Sequence, residues 1–271
     1  MKKIRTPKGY RLSMRKGSTS VIAMICLVLL NACEKSDHPG VASLNIFNGI
    51  VGSNMLVTNF NGGEPLVWYS RASRLYYGDP GDQSSINSVR NRFYSYSGHQ
   101  SISFFEYPDT LAKSKPVTQV QLNLQVSSIY SLFLTGHFEA PDTLLIRDHL
   151  PYHDATDSTA GIRVVNLVKG LEVSVNLQGR EEGSEVAGIG YKAVSPFKNY
   201  EVKKEPVQYV FEIREKNTGD LISVQTIDTQ DRNIGYGLSN LYRFRNITII
   251  LFGDRNDTGA GAPRSVVMSN N

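Results

Sequence analysis

The sequence predicts an all-β protein: two tandem antiparallel β-sandwiches that follow an N-terminal leader. Three observations carry that expectation. Apolar residues recur with a period of two, not 3.6. One stretch of the chain repeats at a constant offset, the mark of a duplicated structural unit. No segment after the leader reads as an amphipathic helix of three turns, whereas Gly, Asn and Asp turn signals are frequent.

The alternation is explicit. Val120, Leu122, Leu124 and Val126 are interleaved with Gln121, Asn123 and Gln125. Leu171, Val173, Val175 and Leu177 are interleaved with Glu172, Ser174 and Asn176, and Val207, Tyr209, Phe211 and Ile213 follow the same rule. Successive strand side chains point to opposite faces, so each run predicts one buried and one solvated face. Asn217-Thr218-Gly219-Asp220 between two such runs predicts a hairpin turn.

The repeat aligns Ala42–Gly62 with Ala160–Arg180. Ala42 meets Ala160, Ile46 meets Val164, Asn48 meets Asn166, Gly52 meets Gly170 and Val57 meets Val175, all 118 residues apart. Tyr130–Gly136 (YSLFLTG) parallels Ile247–Gly253 (ITIILFG) at an offset of 117, and the apolar runs Leu144–Ile146 and Val266–Met268 follow. The boundaries this implies are a first sandwich over 42–150, a polar linker over 151–159 and a second sandwich over 160–271. Each unit is large enough for its own core.

Residues 1–32 carry seven basic side chains and no acid, while the remainder holds 22 basic against 25 acidic residues, a net charge of −3. The basic character therefore belongs to the leader, and the body has no electrostatic footprint for nucleic acid. Val21–Leu30 (VIAMICLVLL) is ten apolar residues long. As a helix it would span about 15 Å, half of a bilayer's hydrocarbon, which is the length of a signal-peptide core. Leu30-Asn31-Ala32-Cys33 follows at once and resembles the lipobox of bacterial lipoproteins, with Asn31 where Ser or Ala is commoner.

That resemblance implies cleavage between Ala32 and Cys33 and acylation of the Cys33 thiol, with more than one chain needed for stable attachment. Residues 33–41 would then be a polar tether. Charged residues directly after the cysteine resemble export signals of some Gram-negative lipoproteins. The expectation is a lipid anchor in the outer membrane of a Gram-negative bacterium, with exposure at the cell surface. Cys26 would leave with the leader, so no disulfide is expected.

Arg163-Val164-Val165-Asn166 at the start of the second unit resembles the bacterial extracytoplasmic domain of unknown function 4397. Gly190–Phe197 (GYKAVSPF) is similar to that family's central Gly-x-x-Ser-Pro-Tyr segment, and Leu132–Gly136 (LFLTG) to its strand end. The first unit lacks a Ser-Pro-aromatic phrase and carries a polar insertion around Gly78–Asn91. The resemblance implies an immunoglobulin- or transthyretin-like sandwich and supplies no catalytic residues.

The sequence presents no catalytic, cofactor-binding or metal-ligating set. His149 and His153 are four apart, but Pro151 between them prevents a shared helix face. Asp254–Gly259 places oxygen side chains like the first half of an EF-hand loop, yet Ser265 stands where a bidentate Glu belongs. Gly188-Ile189-Gly190 lacks the third glycine and the helix of a dinucleotide site. No Gly-x-Ser-x-Gly elbow occurs.

Aromatic residues are dense in the first unit. Trp68 with Tyr76 and Tyr77 is a candidate platform for stacking on sugar rings, set against ordinary core packing. Thr110, Thr143 and Ser158, in Asp-Thr-Leu, Asp-Thr-Leu and Asp-Ser-Thr triplets, resemble O-glycosylation acceptors. The functional expectation is a non-enzymatic envelope lipoprotein that displays binding modules to a glycan or protein partner. The alternatives are a structural spacer or accessory subunit of a surface assembly and, last, a hydrolase whose acid pair forms only in the fold.

Overall fold

Alternating apolar strands separated by polar turns produce sheets wherever the chain is described. The computed structural model describes residues 40–60, 74–81, 91–109, 111, 113–202, 208–229 and 242–270. In the first half the strands are β1 (Val41–Asn48), β2 (Met55–Phe60), β3 (Arg74–Tyr76), β4 (Arg92–Tyr96), β5 (Gly98–Glu106), β6 (Thr118–Leu124), β7 (Ile129–His137) and β8 (Ala140–Asp148). In the second they are β9 (Thr159–Asn166), β10 (Val173–Leu177), β11 (Val186–Ile189), β12 (Ala193–Val194), β13 (Lys198–Glu201), β14 (Gln208–Glu215), β15 (Leu221–Asp228), β16 (Asn246–Phe252) and β17 (Arg264–Ser269). The one helical element among the described residues is a single 3-10 turn, Gly259–Gly261.

The two halves share one topology. Sheets ordered β4-β1-β7-β8 and β3-β2-β5-β6 make up the first, and sheets ordered β12-β9-β16-β17 (with β13 also on β9) and β11-β10-β14-β15 the second. The duplication read from the sequence coincides with the strands: β1 and β9 stand 118 residues apart, as do the starts of β2 and β10, and β7 and β16 begin 117 apart. One feature departs from the antiparallel expectation. β1 pairs with β7, and β9 with β16, in parallel. A parallel neighbour requires a long crossover, and here the other sheet, with β4 in the first half and β12 and β13 in the second, makes up that crossover.

Each half has an apolar core between its two sheets. Leu44, Ile46, Leu56, Ile102, Phe104 and Leu132 meet in the first; Val164, Val173, Phe211, Ile213 and Ile249 meet in the second. The alternation in β6 is realised, with Val120, Leu122 and Leu124 inward, but the strand ends there and Val126 lies in the following turn, 58% exposed. In β10 the expected polar face is not solvated. Ser174 and Asn176 are buried, because Glu182 and Glu212 reach across to hydrogen-bond them.

The repeated asparagine explains how the sheets are tied together. Asn48 and Asn166 are both fully buried at the ends of β1 and β9. Ile50 N–H donates to Asn48 Oδ1 (3.2 Å), while Asn48 Nδ2 donates to Ser53 Oγ (3.1 Å) and to the Leu75 carbonyl on β3 (3.3 Å). In the second half Val168 N–H donates to Asn166 Oδ1 (2.9 Å), and Asn166 Nδ2 donates to the carbonyls of Leu171 (2.7 Å) and Ile189 on β11 (3.2 Å). One amide thus closes a turn and latches one sheet to the other, which an apolar residue of the same size cannot do.

The repeated glycine has an equally local cause. Gly136 and Gly253 adopt φ of +80° and +117°, and a Cβ on either would sit 2.7 Å from a facing carbonyl, that of Ala140 or Ala262. Only glycine fits this approach of the hairpin's two arms.

Replacing either latch strands buried backbone groups. Asn48→Ala and Asn166→Ala are each expected to cost about 2–3 kcal/mol, since one buried polar group left unpaired costs about 1–3 kcal/mol. Urea unfolding checks this, with Asn123→Ala, on the exposed face of β6, expected to leave the midpoint unchanged.

Candidate functional site

The most densely functionalised region is the seam where the two halves meet. The sheets that face one another are β4-β1-β7-β8 and β12-β9-β16-β17. The centre of the seam is apolar: Phe47, Phe133, Val165, Leu167, Ile250, Phe252 and Met268 are buried together. Phe47 meets Phe252 edge-on, with ring centroids 5.2 Å apart.

Beside this apolar centre lies a closed polar ring. Arg163, on β9, is 4% exposed and Asp148, at the end of β8, is fully buried. Arg163 Nη2 donates to Asp148 Oδ1 at 2.7 Å and to Ser131 Oγ at 3.3 Å, while its Nε donates to Thr248 Oγ1 at 2.9 Å. Ser131 Oγ donates to Asp148 Oδ2 (2.7 Å), Thr248 Oγ1 to Asn270 Oδ1 (2.6 Å), and Asn270 Nδ2 to Ser131 Oγ (3.2 Å). The Phe197 ring lies under the guanidinium, 4.6 Å away. Every member is satisfied, which is the condition for a buried ion pair to be tolerated.

The two halves meet through equivalent residues. His137 Nε2 and Asp254 Oδ2 are 2.8 Å apart, and these positions differ by the 117 of the repeat. Ser131 and Thr248 differ by 117 as well. Asp148 and Asn270, paired with the equivalent ends of β7 and β16, touch each other. Contact between equivalent residues is what a two-fold relation demands. The axis runs along the strands, so β7 and β16 point the same way and corresponding ends of the two halves lie side by side.

At the end away from Gly40 the rim is polar. Tyr191 Oη and Lys192 Nζ both reach Asp142 across the seam, each at 2.9 Å. Burial pushes the Asp142 carboxyl up, but hydrogen bonds from Lys192, the Thr143 N–H and Tyr191 outweigh it and hold the group below its ordinary value. Tyr191 is pushed up to about 12, first by burial and then by Asp142. The Asn256 N–H and then His137 hold Asp254 below its ordinary range. Tyr77 is wedged between Phe252 and the Arg264 guanidinium, and its buried hydroxyl has no hydrogen-bond partner among the described residues.

The residues singled out from the sequence fall as follows. Ala32, Cys33, Trp68 and Thr110 lie outside the described residues. Tyr76 and Tyr77 do not form a joint platform. As neighbours at a strand end they turn to opposite sides: Tyr76 is 36% exposed, whereas Tyr77 enters the seam. Of the other first-unit aromatics, Phe93, Phe104 and Phe105 are buried, while Tyr94 and Tyr96 are exposed. Thr143 is half-buried on β8. The Ser158 hydroxyl is half-buried and doubly engaged, donating to the Val202 carbonyl and accepting from Arg243 Nε. His153 bonds Thr159 and Asn246 and so pins the linker to the second half. Both oxygens of Asp254 are used, by Asn256 N–H and His137, so the EF-hand-like loop has already committed its first ligand. Among the described residues no group of three or more His, Cys, Asp or Glu is placed to hold a metal ion.

Sequence reasoning missed the polar ring. Its signal was a lone arginine inside the apolar run Gly161–Leu167, a position where a charge demands a buried partner. Asp148 gave no comparable sign, because it ends its strand beside a polar linker.

No family model matches the chain, and no curated protein does. Nine chains of solved structures match. One is a leucine-rich repeat protein from Bacteroides thetaiotaomicron, 9% identical, with a TM-score of 0.14, covering 70% of this chain and 24% of its own. The chain thus spans about a quarter of that protein, and a likeness at this score carries no argument.

Removing one partner of the ring leaves a buried charge. Arg163→Met and Asp148→Leu are each expected to cost about 3–5 kcal/mol, and the double variant less than the two together. Urea unfolding of the singles and the double measures this. The rim carboxyls set an acid limit. Asp142 and Asp254 have folded values lowered from 3.8, so their contribution is present above 3.8 and lost as pH falls through the lower folded values. Asp142→Asn is expected to flatten the drop in unfolding midpoint between near-neutral pH and pH about 3.

Proposed function

We propose that this protein is a non-enzymatic, lipid-anchored component of the outer envelope of a Gram-negative bacterium, whose β-rich body displays a binding surface to a glycan or protein partner. The domain of unknown function 4397 is the family this reading draws on. The observation that carries it is one of sequence order. The lipobox-like Leu30–Cys33 is followed by a short polar stretch and then, at Val41, by the first strand of the body. A chain so arranged has an acceptor thiol within a few residues of a folded unit.

The chemistry of the seam supports a binding or scaffolding role over catalysis. Asp142, Asp148, Asp254, His137, Tyr191 and Arg163 are engaged with one another or with backbone, and the carboxyls of Asp142 and Asp254 are held low rather than raised toward a general acid's range. A spacer or accessory subunit is the second reading. What favours it is the buried ring, which couples the two halves and suits a part that transmits position instead of flexing.

Cells given the lipoprotein signal peptidase inhibitor globomycin are expected to accumulate the uncleaved precursor. Cys33→Ser is expected to lose a diacylglyceryl mass. A wild-type product that is soluble and unacylated would sink the proposal. A glycan array and crosslinking in intact cells then separate display from spacing: a saturable ligand supports display, and capture only within a fixed assembly supports the accessory role.

A further inference from the structure

We infer that the end of the body where the chain enters at Gly40 is a membrane-facing surface that seats in the lipid headgroup layer, both halves contributing. The inference rests on the proposed acylation of Cys33 and adds which face meets the lipid and through which side chains.

The ends of both halves lie together here because the two-fold axis runs along the strands. Gly40 accepts from Ser97 N–H and Val41 from Ser127 N–H, so the chain enters between the β4–β5 and β6–β7 turns. Val41 pairs with Tyr96, and Gly40 packs on Val126. Across the seam, Asn246 Nδ2 donates to the Pro151 carbonyl, which brings Tyr152 to the start of β16, and Phe244 N–H donates to the Thr159 carbonyl at the start of β9. Val41, Tyr94, Tyr96, Val126, Tyr152 and Phe244 are all exposed, Tyr152 to 86% and Tyr94 to 69%.

Two of the turns that build this end hold strained residues. Ser127 and Phe244 have φ of +57° and +58°, a region costly for side chains other than glycine's. For Phe244 the outcome is an apolar ring presented outward with Arg243 over its face and the exposed Arg245 beside it. Asp154, at the same end, turns its carboxylate onto Thr156.

The length of chain outside this body selects the occupant. Cys33 precedes Gly40 by seven residues, so the covalent span cannot exceed about 25 Å. An acylated Cys33 therefore holds this end, and not the opposite one, against the bilayer. Tyrosines and a phenylalanine flanked by arginines match the headgroup region, which takes an apolar body and a polar tip together and attracts cations to anionic lipid.

The test uses full-length acylated protein in phosphatidylethanolamine–phosphatidylglycerol vesicles that contain brominated lipid. Trp68 is the sole tryptophan, so Trp68→Phe provides a dark background for Tyr96→Trp, Tyr152→Trp and, at the opposite end, Leu221→Trp. Severalfold quenching at 96 and 152, with none at 221, is the expected result. Emission at 96 and 152 that brominated lipid leaves unchanged, on protein whose mass shows acylated Cys33, overturns the inference and leaves the anchor standing. Shielding of both sites from a soluble quencher without quenching by lipid assigns the surface to a second protein and also overturns it. Absence of acyl mass on Cys33 removes the anchor and the inference together. Hydroxyl-radical footprinting of the unmutated protein, in vesicles against lipid-free Cys33→Ser, reads the same face without a tryptophan variant, with Tyr96 and Tyr152 protected and Leu221 not.

Discussion

The arrangement of the described body depends on a buried charge pair and the three polar side chains and one aromatic ring that make it tolerable. Arg163 and Asp148 come from different halves and are almost wholly removed from water. Neither could be buried alone. Ser131, Thr248, Asn270 and Phe197 complete the environment, and each is delivered by a different part of the chain. An apolar seam alone supplies no hydrogen bonds between the halves. The ring accepts one alignment, because its hydrogen bonds close only when β7, β8, β9 and β16 are in fixed positions.

That alignment has consequences along the whole length of the seam. With equivalent residues meeting at His137–Asp254 and at Asp148–Asn270, the halves are set side by side with their strand ends level. One end collects polar turns and the Asp142–Tyr191–Lys192 cluster. The other collects the incoming chain, the linker, Asn270 and a set of exposed aromatic residues. Duplication followed by two-fold pairing thus yields a body with two chemically different ends from a single kind of structural unit.

Local and tertiary demands agree in most of the chain. The alternating runs of β6 and β14 form strands with the expected faces inward, and the Asn217–Asp220 turn joins β14 to β15. Where they disagree, the cause is a neighbour that the sequence places far away. Ser174 and Asn176 read as solvated but are covered by Glu182 and Glu212. Tyr77 is open in the sequence between a stacking platform and core packing, and the choice is made by Phe252, from the other half. Ser158 reads as an accessible hydroxyl in a linker but is held by Val202 and Arg243.

Sequence by itself determined the strand class, the duplication and the positions of its repeated Asn and Gly, because these follow from side-chain period and from single-residue turn chemistry, which act over a few neighbours. The parallel pairing of β1 with β7 and of β9 with β16, the partner of Arg163, and the level alignment of the two halves were decided only in three dimensions. Each depends on residues from about fifteen to well over a hundred positions apart, and no local pattern encodes which distant surface a strand's second face will meet.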